Sequence, residues 1–531
     1  MFGFNQAGYW PGARKVFTLD DPVTQPEFEV QTIGPDVTWK TVLTGGIVRS
    51  HGHFVGDFSA IRAPGDYRIV QRRGDELSTS TYFTVQDQVY DPVIRQMLQY
   101  ILWQRCGSRK GWAGCCHQDP VPLMHGKTDT GVRLDMRGGY HQSGDLRCWA
   151  DGISMSMYAL LRVAEEYHPL WDEGDLAAEV RWGLDYFLKL MRADGMLYDC
   201  QFEPIGWGPR HYYDTPAPVG AHWNAARLFA RAAAFFRQAD PEYADRLLDA
   251  AKRVKHYCET APDFEKPYTP PIPDLPRGTQ GANFYFQGVR GATAYLCGLC
   301  AAAIDLFRAT GDGTYRAEAE TLAREIMARQ VVSGPCAGLL RTLGRSPEPA
   351  FLDCNYVHCS SGMLVFGELL RDFPDAADAG LWRETLARFV RSRIGLYDEV
   401  LYDGIPGLRR TSDLDAGVLQ TVTGTGASTS ARDVLQFLDA VELCGMDPAE
   451  CHLQEIADWC YGLNPEKCSF VTGVGFRHPR HRVFGQFFPS TPQIPGGVVH
   501  VMAGEYDMPA VAMQMWMLER LGRYYREARK K

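Results

Sequence analysis

The chain changes its sequence period between Ser80-Thr-Tyr-Phe-Thr-Val85 and Asp91-Pro-Val-Ile-Arg-Gln-Met-Leu-Gln-Tyr-Ile-Leu-Trp-Gln-Arg105. The first segment is a short run of β-branched and aromatic residues, which is typical of a strand. The second opens with an aspartate and a proline, which favour the first turn of a helix, and then repeats apolar residues at helical spacing. The sequence therefore predicts a β domain over residues 1–88 and a helical domain over residues 89–531.

Residues 1–88 contain short apolar runs that Gly, Pro and Asp turns separate at regular intervals, which indicates an antiparallel, immunoglobulin-like sandwich. The predicted strands are Val16–Leu19, Phe28–Ile33, Trp39–Leu43, Phe58–Ile61, Tyr67–Val70 and Ser80–Val85. This part of the chain has no cysteine and no cluster of titratable groups. We therefore expect it to serve packing and not catalysis.

The rest of the chain repeats apolar residues at i, i+3 and i+4 in long segments that irregular loops join. The predicted helices are 91–105, 148–167, 174–193, 219–238, 241–259, 287–309, 313–331, 356–373, 377–394, 430–444, 450–462 and 507–527. These twelve helices make six hairpins, and a ring of six hairpins closes into an (α/α)6 barrel.

Long loops follow every second predicted helix, so they would all emerge at one end of the barrel. They are 106–147, 194–218, 260–286, 332–355, 395–429 and 463–506. Because long structured loops are usually functional, that end is the predicted active face.

Composition argues against several kinds of partner. The net charge is −9 and no basic run precedes the terminal Arg-Lys-Lys, so we expect no nucleic-acid partner. We expect no membrane partner, because no stretch of about 18 uninterrupted apolar residues occurs.

The N-terminus has no basic region followed by an apolar one, and the 15 cysteines all lie from Cys106 onward. Reduced thiols and a cytoplasmic location are expected, unless a secretion signal has been removed; the oligomeric state is left open.

Two carboxylates are candidates for catalysis. Asp145 ends the polar segment Asp135-Met-Arg-Gly-Gly-Tyr-His-Gln-Ser-Gly-Asp145 in the first long loop, and Glu505 lies in the last loop. Closure of the ring would bring both to one face. Two carboxylates across a cleft can hydrolyse a glycosidic bond, since one protonates the leaving oxygen and the other activates water. Alternatively, Asp145 only caps its helix and Glu505 only complements a helix dipole.

Two thiols and two imidazoles near this segment have the residue types of a tetrahedral zinc site. They are Cys106, Cys116, His117 and His141. Cys115 and His125 compete for the same roles, and buried cysteines are commonly small core residues.

One group of aromatic residues is a candidate for stacking against sugar rings. Trp207 lies in Gly206-Trp-Gly-Pro209, with Tyr212, Tyr213 and Trp223 nearby. The glycine and proline indicate a loop, whereas a lone tryptophan usually belongs to the core.

Several motifs, spread in order over nearly the whole chain, resemble glycoside hydrolase family 9. The opening Phe4-Asn-Gln-Ala-Gly-Tyr-Trp-Pro11 looks like the start of the immunoglobulin-like domain that precedes many of these enzymes. Gly138-Gly-Tyr-His-Gln-Ser-Gly-Asp145 resembles the family signature Gly-Gly-Trp-His-Asp-Ala-Gly-Asp. Tyr461-Gly-Leu-Asn-Pro465 and Phe470-Val-Thr-Gly-Val-Gly475 resemble the segment before the family's His-Pro-His-His-Arg motif, here His478-Pro-Arg-His-Arg482.

The resemblance implies an inverting glycoside hydrolase that cleaves β-1,4-linked glucan or gluco-oligosaccharides, with an oligosaccharide or polysaccharide as its partner. Asp145 would be the general base and Glu505 the general acid. A separation of about 6.5–9.5 Å between their carboxyl groups is expected, because a water must fit between them.

The resemblance also implies that the two thiols and two imidazoles hold a structural zinc, and it leaves calcium open as a second metal. With four protein ligands such a zinc would stiffen the position of Asp145 and would not attack the substrate.

Substrate contacts follow from the same resemblance. The residues that it indicates are His478, Arg480, His481, Arg482, Trp207 and Tyr506. Arg480 replaces a family histidine, and Gly504-Glu-Tyr-Asp-Met-Pro509 replaces Asn-Glu followed by small apolar residues, so the identity of the sugar stays open. Gln142 replaces an aspartate that helps to hold the catalytic water, and its amide can accept a hydrogen bond but adds no charge.

Three alternatives stay open. An exo-acting β-glucosidase or glucosaminidase would suit short imported oligosaccharides. A carbohydrate-binding protein that has lost catalysis would explain Gln142. A lyase or epimerase on the same ring of helices is disfavoured, because those chemistries usually place Tyr, His or Arg at the centre of the site.

Overall fold

The computed structural model describes the chain except for residues 21–24, 75, 127, 143–147, 149, 167–172, 203–209, 218, 262–291, 335, 342–361, 407–426, 480–493, 500–505 and 529–531. In the described residues an antiparallel β domain precedes a ring of helices. The predicted immunoglobulin-like domain and (α/α)6 barrel are both confirmed.

The N-terminal domain is an antiparallel sheet folded into two halves. Its strands are β1 (Phe2–Gly3), β2 (Val16–Leu19), β3 (Glu27–Ile33), β4 (Trp39–Ser50), β5 (His53–Asp57), β6 (Gly65–Arg73), β7 (Glu76–Thr79) and β8 (Phe83–Val85). The order is β1-β2-β5-β4-β3-β6-β7, with β8 on β6. Strand β4 pairs with β3 up to Gly46 and with β5 from Ile47, so it joins the two halves.

Aromatic rings fill the space between the halves. Phe17 packs edge-on against Phe28 with ring centroids 5.0 Å apart, and both are buried. A Cβ on Gly56 would lie 2.2 Å from the Phe17 ring, so only glycine fits there. The predicted strand at Phe58–Ile61 is wrong: the amide of Ile61 donates to the carbonyl of Phe58 at 3.0 Å, which makes this segment a turn. Both side chains are nevertheless buried, which is why the apolar pattern looked like a strand.

All twelve predicted helices are confirmed as elements, with shifted ends. They are α1 (Asp91–Trp103), α2 (Ala150–Glu166), α3 (Glu173–Leu190), α4 (Val219–Phe236), α5 (Pro241–Thr260), α6 (Thr293–Thr310), α7 (Gly313–Met327), α8 (Leu364–Asp372), α9 (Ala379–Val400), α10 (Ala427–Cys444), α11 (Leu453–Trp459) and α12 (Met508–Ala528). The even-numbered helices pack in sequence, and α12 returns to α2. They form the closed inner ring, and the odd-numbered helices lie outside it.

Helix α6 is long and apolar enough to cross a membrane by length and composition, but 72% of the relevant window is buried inside the protein. An inner helix has neighbours on most sides, which explains its apolar character.

A second sheet, which the sequence did not predict, lies in the first two long loops. Its strands are β9 (Val121–His125), β10 (Thr128–Leu134), β11 (Tyr198–Phe202) and β12 (Arg210–Pro216), in the order β10-β9-β12-β11. Strands β9 and β12 pair in parallel, so the two loops support each other. The prediction of irregular loops is therefore wrong here. Strand β9 was not predicted because it contains Pro122, and proline in a short apolar run argues against a strand.

The C-terminal halves of the inner helices share a buried network of ion pairs. Its arginines are Arg162, Arg227, Arg231, Arg308, Arg371 and Arg520, and its acids include Glu165, Glu166, Asp305, Glu368, Asp372, Asp439 and Glu442. Burial favours the neutral form of Glu368, but Arg162, Arg308 and Arg231 outweigh it and hold the pKa of that carboxyl well below its usual range. Because the long loops precede the inner helices, this network closes the end of the barrel opposite the predicted active face.

The opening motif joins the two domains. The Asn5 side-chain amide donates to the Tyr90 hydroxyl and to the Asp458 carboxylate. The backbone amide of Gln6 donates to the carbonyl of Tyr461 at 2.9 Å, and its side chain donates to the carbonyl of Lys467 at 2.9 Å. Two motifs from opposite ends of the sequence thus contact each other where the two domains meet.

Candidate active site and metal centre

The structure describes only part of the predicted catalytic and sugar-binding set. Asp145, Glu505, Trp207, Arg480, His481 and Arg482 lie outside the described residues. Their predicted roles, and the expected separation of the two carboxyl groups, stay predictions. The described members are Gln142, His478, Tyr506 and the four predicted metal ligands.

The loops that carry the two candidate carboxylates meet in the described part of the chain. The backbone amide of Met508 donates a hydrogen bond of 2.9 Å to the carbonyl oxygen of Gln142. Gln142 precedes Asp145 by three residues, and Met508 follows Glu505 by three residues. The end of the last long loop therefore lies beside the end of the first one, as the ring closure predicts.

The side chain of Gln142 lies against the start of helix α2. A Cβ on Gly152 would lie 2.3 Å from Gln142 Oε1, so glycine at this position makes room for the amide. Among the described residues, Oε1 is buried and has no hydrogen-bond partner. A carbonyl oxygen in this state can accept a hydrogen bond from a water molecule.

Tyr506 is enclosed by the protein and does not face a cleft. Only 1% of it is exposed, and its hydroxyl accepts a hydrogen bond of 3.0 Å from the Ile494 amide. Its ring packs against Tyr100, with centroids 5.7 Å apart. In this structure Tyr506 holds the last loop in place, which differs from the direct sugar contact predicted for it.

His478 is partly exposed at the end of the described part of its motif. Its Nδ1 lies 3.3 Å from the amide nitrogen of Gly473 and 3.2 Å from the carbonyl oxygen of Pro479. These backbone contacts orient the ring, and the predicted sugar contact stays a prediction.

The aromatic group predicted around Trp207 is mostly core. Tyr212, Tyr213 and Trp223 are each at most 3% exposed. The Tyr212 hydroxyl lies 2.8 Å from the Tyr186 hydroxyl, which ties strand β12 to helix α3. These three rings are therefore not placed to stack on a sugar, because they pack against other side chains.

The four predicted metal ligands converge on one point. Cys106 Sγ lies 3.8 Å from Cys116 Sγ and 3.4 Å from His117 Nδ1, and Cys116 Sγ lies 3.3 Å from His141 Nε2. All four donor atoms lie within 4.8 Å of one another. Two soft sulfur donors and two imidazole nitrogens at these distances fit the ligand set of a metal site.

Backbone contacts fix this cluster. The Cys106 amide donates to the carbonyl of Gly139 at 2.9 Å, and the His141 amide donates to the carbonyl of Gln104 at 2.8 Å, so two chain segments present their ligands side by side. The Gly107 amide donates to Cys116 Sγ at 3.3 Å. His117 has a φ of 50°, a left-handed conformation that turns its ring towards the thiols.

The competing residues point elsewhere. Cys115 is exposed although it is adjacent to Cys116, and His125 is exposed at the end of strand β9. Neither belongs to the cluster of four. The structure thus selects between alternatives that the sequence left open.

Tyr140, Glu179 and Arg105 support the signature segment, although no pattern in the sequence predicted this role for them. The Tyr140 hydroxyl donates to the Glu179 carboxylate at 2.7 Å, and Arg105 Nη2 pairs with Glu179 at 2.5 Å. Burial, with the charge of Glu179 adding to it, raises the pKa of the Tyr140 hydroxyl well above its usual value. The available signal was Tyr140 itself, which replaces the signature tryptophan and brings a hydroxyl that requires a partner.

The fold and the site define a class of protein: an immunoglobulin-like domain followed by an (α/α)6 barrel whose first and last loops meet. A metagenome-derived family 9 endoglucanase has this fold, with a TM-score of 0.69 at 18% identity over 98% of this chain and 99% of the other. A family 9 protein of Bacteroides ovatus gives a TM-score of 0.71 at 17% identity, over 99% of each chain. A zinc-binding triple mutant of the family 9 endoglucanase J30 gives 0.70 at 19% identity, over 97% of this chain and 99% of the other.

The sequence identifies the family. The model of glycosyl hydrolase family 9 matches residues 90–485, and the chain belongs to this family. The cellodextrinase of Butyrivibrio fibrisolvens is 24% identical over 299 residues, which are 51% of this chain and 52% of that protein. Endoglucanase 3 of Oryza sativa subsp. japonica is 30% identical over 145 residues, which are 24% of this chain and 29% of that protein. The chain thus matches about half of the first relative's length and less than a third of the second's.

Proposed function

We propose that the protein is an inverting glycoside hydrolase that cleaves β-1,4-linked glucan or gluco-oligosaccharides. Membership of family 9 and the names of the cellodextrinase and endoglucanase relatives support this proposal. The structural observation that carries it is the 2.9 Å hydrogen bond from Met508 to Gln142, because it joins the two loops that hold Asp145 and Glu505.

In the proposed reaction Glu505 protonates the oxygen of the leaving sugar while Asp145 removes a proton from water. The water attacks the anomeric carbon from the opposite face, which inverts its configuration. Gln142 Oε1 accepts a hydrogen bond from this water and helps to aim it. An amide orients water without adding charge, so Asp145 alone carries the base function.

We further propose that His478, Arg480, His481, Arg482 and Trp207 bind the sugar. Arginine and histidine donate hydrogen bonds to sugar hydroxyls. The tryptophan ring stacks on the apolar C–H face of a sugar ring.

We propose that Cys106, Cys116, His117 and His141, the thiolate cluster, bind zinc. Tetrahedral zinc with bonds of about 2.3 Å to sulfur and about 2.0 Å to nitrogen separates its ligands by about 3.3–3.8 Å. The separations of 3.8, 3.4 and 3.3 Å in the cluster fit this geometry. Four protein ligands would occupy every position of such an ion, so its role is structural. Calcium prefers oxygen ligands, which this cluster does not offer.

Two broader predictions remain part of the proposal. The domains divide at residues 88 and 89, between the end of β8 at Val85 and the start of α1 at Asp91. The cytoplasm is the proposed location, which agrees with the free thiols of the twelve described cysteines.

The test compares wild type with Glu505→Gln and Asp145→Asn on cello-oligosaccharides, with NMR detection of the first anomer released. We expect the wild type to release the α-anomer and each variant to lose at least about 100-fold in kcat. The variants should still bind cellopentaose in calorimetry. Release of the β-anomer, or equal rates in wild type and variants, would contradict the proposal.

Product length then decides between the two modes of cleavage. Internal cuts in a soluble glucan support the endo mode, and release of single sugars from a pentamer supports the exo alternative. Sugar binding without turnover in the wild type would support a binding protein that has lost catalysis.

A further inference from the structure

A second cluster of metal-ligating side chains lies where the N-terminal domain meets the barrel. Its members are His51, Asp398 and His452. His51 is in the turn between β4 and β5, Asp398 is in the last turn of α9, and His452 immediately precedes α11. We propose that these three residues bind a divalent transition-metal ion, with zinc as the physiological candidate.

The donor atoms already face one point. His452 Nε2 lies 2.8 Å from Asp398 Oδ1, and His51 Nε2 lies 3.8 Å from the same oxygen. All three donor atoms are within 4.8 Å of one another. Ligands of a zinc ion with bonds of about 2.0–2.2 Å lie about 3.0–3.5 Å apart, so the side chains need to shift by only about 1 Å. Imidazole and carboxylate are both good ligands for zinc.

Each histidine also has a polar neighbour at its other ring nitrogen. The Ser50 hydroxyl lies 2.8 Å from His51 Nδ1, and Glu455 Oε1 lies 4.0 Å from His452 Nδ1. Metal-binding histidines usually have a hydrogen-bond partner at this second nitrogen, which fixes the ring orientation and directs the free nitrogen to the ion. Ser50 is such a partner for His51, whereas Glu455 is too far from His452 Nδ1 for a hydrogen bond. Glu455 is itself 2% exposed and paired with Arg14 at 2.7 Å, so this neighbour is fixed in turn.

The backbone of both histidines is unusual in the same way as that of His117 in the thiolate cluster. The described non-glycine residues with positive φ are Val37, His51, His117, His452 and Lys467. Three of these five are histidines, and all three belong to one of the two ligand clusters. Left-handed backbone at a residue other than glycine costs free energy and is often retained where a ligand is held.

The site is open to solvent on one side. Asp398 is 52% exposed, whereas the side chains of His51 and His452 are 24% and 13% exposed. An ion can therefore enter from the solvent-exposed side, where Asp398 lies. A water molecule can then occupy the fourth coordination position of the ion. Bound metal would link the β domain to two helices of the barrel.

The neighbouring histidine provides a matched control. His53 lies on the same hairpin and contacts Asp403 at 2.9 Å, but it is outside the ligand set. His51→Asn and His452→Asn remove one ligand each, and asparagine tolerates the left-handed backbone at both positions. His53→Asn removes an imidazole from the same interface without touching the ligand set.

The experiment uses the full chain, stripped with chelator and reloaded with Zn²⁺ or Co²⁺. We expect two ions per chain in the wild type and in His53→Asn, and one ion in His51→Asn, His452→Asn and Asp398→Asn. In the cobalt form all proteins should keep the near-ultraviolet thiolate-to-cobalt band of the cysteine cluster. The second equivalent of cobalt should add only weak visible bands, and these should be missing from the three variants.

A simple hydrogen bond between His452 and Asp398 is the competing explanation. It predicts one ion per chain in wild type and variants alike, and that result overturns the proposal. The same holds if none of the three substitutions lowers the ion count, or if His53→Asn lowers it equally. Activity does not enter these readouts, so the result is independent of the proposed hydrolysis.

Discussion

The backbone amide of Met508 donates its hydrogen bond to the carbonyl of Gln142, across 366 positions of sequence. Both residues belong to the ends of segments that carry predicted catalytic groups. Main-chain hydrogen bonds do not depend on side-chain identity, so this contact fixes the relative position of the two loops while their side chains vary. It gives the first and last hairpins of the ring a common edge.

The first prediction concerns the amide at position 142. Gln142→Asp should raise kcat by about tenfold, because a second carboxylate beside the water would hold it more firmly and assist Asp145. Gln142→Ala should lower kcat by about tenfold, since the acceptor Oε1 is lost. KM should change little in both variants.

Steady-state kinetics on cello-oligosaccharides measure both effects. Gln31→Asp, in strand β3, controls for an added negative charge and should leave kcat unchanged. Equal kcat values in Gln142→Asp, Gln142→Ala and wild type would show that position 142 does not touch the water.

A second prediction concerns the thiolate cluster. Removal of the metal with a chelator should lower the Tm by about 5 °C or more, because the ion joins the segments that hold Cys106, Cys116 and His141. Cys116→Ser should reproduce this loss without chelator. Cys115→Ser is the matched control: this thiol is adjacent but exposed, and its loss should leave the Tm and the metal content unchanged. Differential scanning fluorimetry and elemental analysis check both, and an unchanged Tm after chelation would contradict a structural role.

Apolar residues at helical spacing predicted the helices correctly, because each inner and outer helix must bury an apolar face along its length. Helix α6 illustrates this, since thirteen of its residues are buried. The same reasoning could not find the second sheet. Strand β10 is exposed at all but one position and contains Gly131. Its sequence therefore lacks the alternation of apolar and polar residues that predicts a strand. Its stability comes from pairing with β9, which pairs in parallel with β12 about 90 positions away.

The site shows the same limit. The four thiolate and imidazole ligands lie within one short stretch, so residue type and spacing pointed to them. Tyr212 and Trp223 lie near Trp207 in sequence, but β12 and α4 turn them into the core. His51, Asp398 and His452 come from three distant segments of two domains, and no local pattern connects them.

A third prediction concerns the contact between the domains. Asn5→Ala should lower the free energy of unfolding by about 2–3 kcal/mol, because the buried Asp458 carboxyl and Tyr90 hydroxyl would each lose a partner. Burial already raises the pKa of Asp458 well above its usual value, which shows how little solvent reaches it.

Thermal unfolding measures this loss. Thr41→Ala removes an exposed hydrogen bond of 2.6 Å to Glu29 and should change stability by less than about 0.5 kcal/mol. Equal Tm values for Asn5→Ala and Thr41→Ala would refute the importance of the opening motif for domain contact.

The last prediction uses the ion-pair network at the closed end of the barrel. Burial, opposed by Arg308 but assisted by Glu368, raises the pKa of Asp372 from 3.8 to about 6. A carboxyl whose pKa is raised by folding binds its proton more tightly in the folded state. Its contribution to stability is therefore complete below a pH of about 3.8 and is lost as the pH rises from there through about 6.

Asp372→Asn removes this titration, and Arg308 keeps Asp305 at 2.9 Å and Glu368 at 2.5 Å. The variant should match wild type near pH 3 and exceed it by up to about 3 kcal/mol at pH 8. Calorimetric Tm values at the two pH values measure the difference. Asp375→Asn, at a carboxylate that is 73% exposed in the turn after α8, should show no such dependence. If Asp372→Asn were less stable than wild type at pH 8, the attraction of Arg308 would outweigh burial and the Asp372 carboxylate would be stabilising.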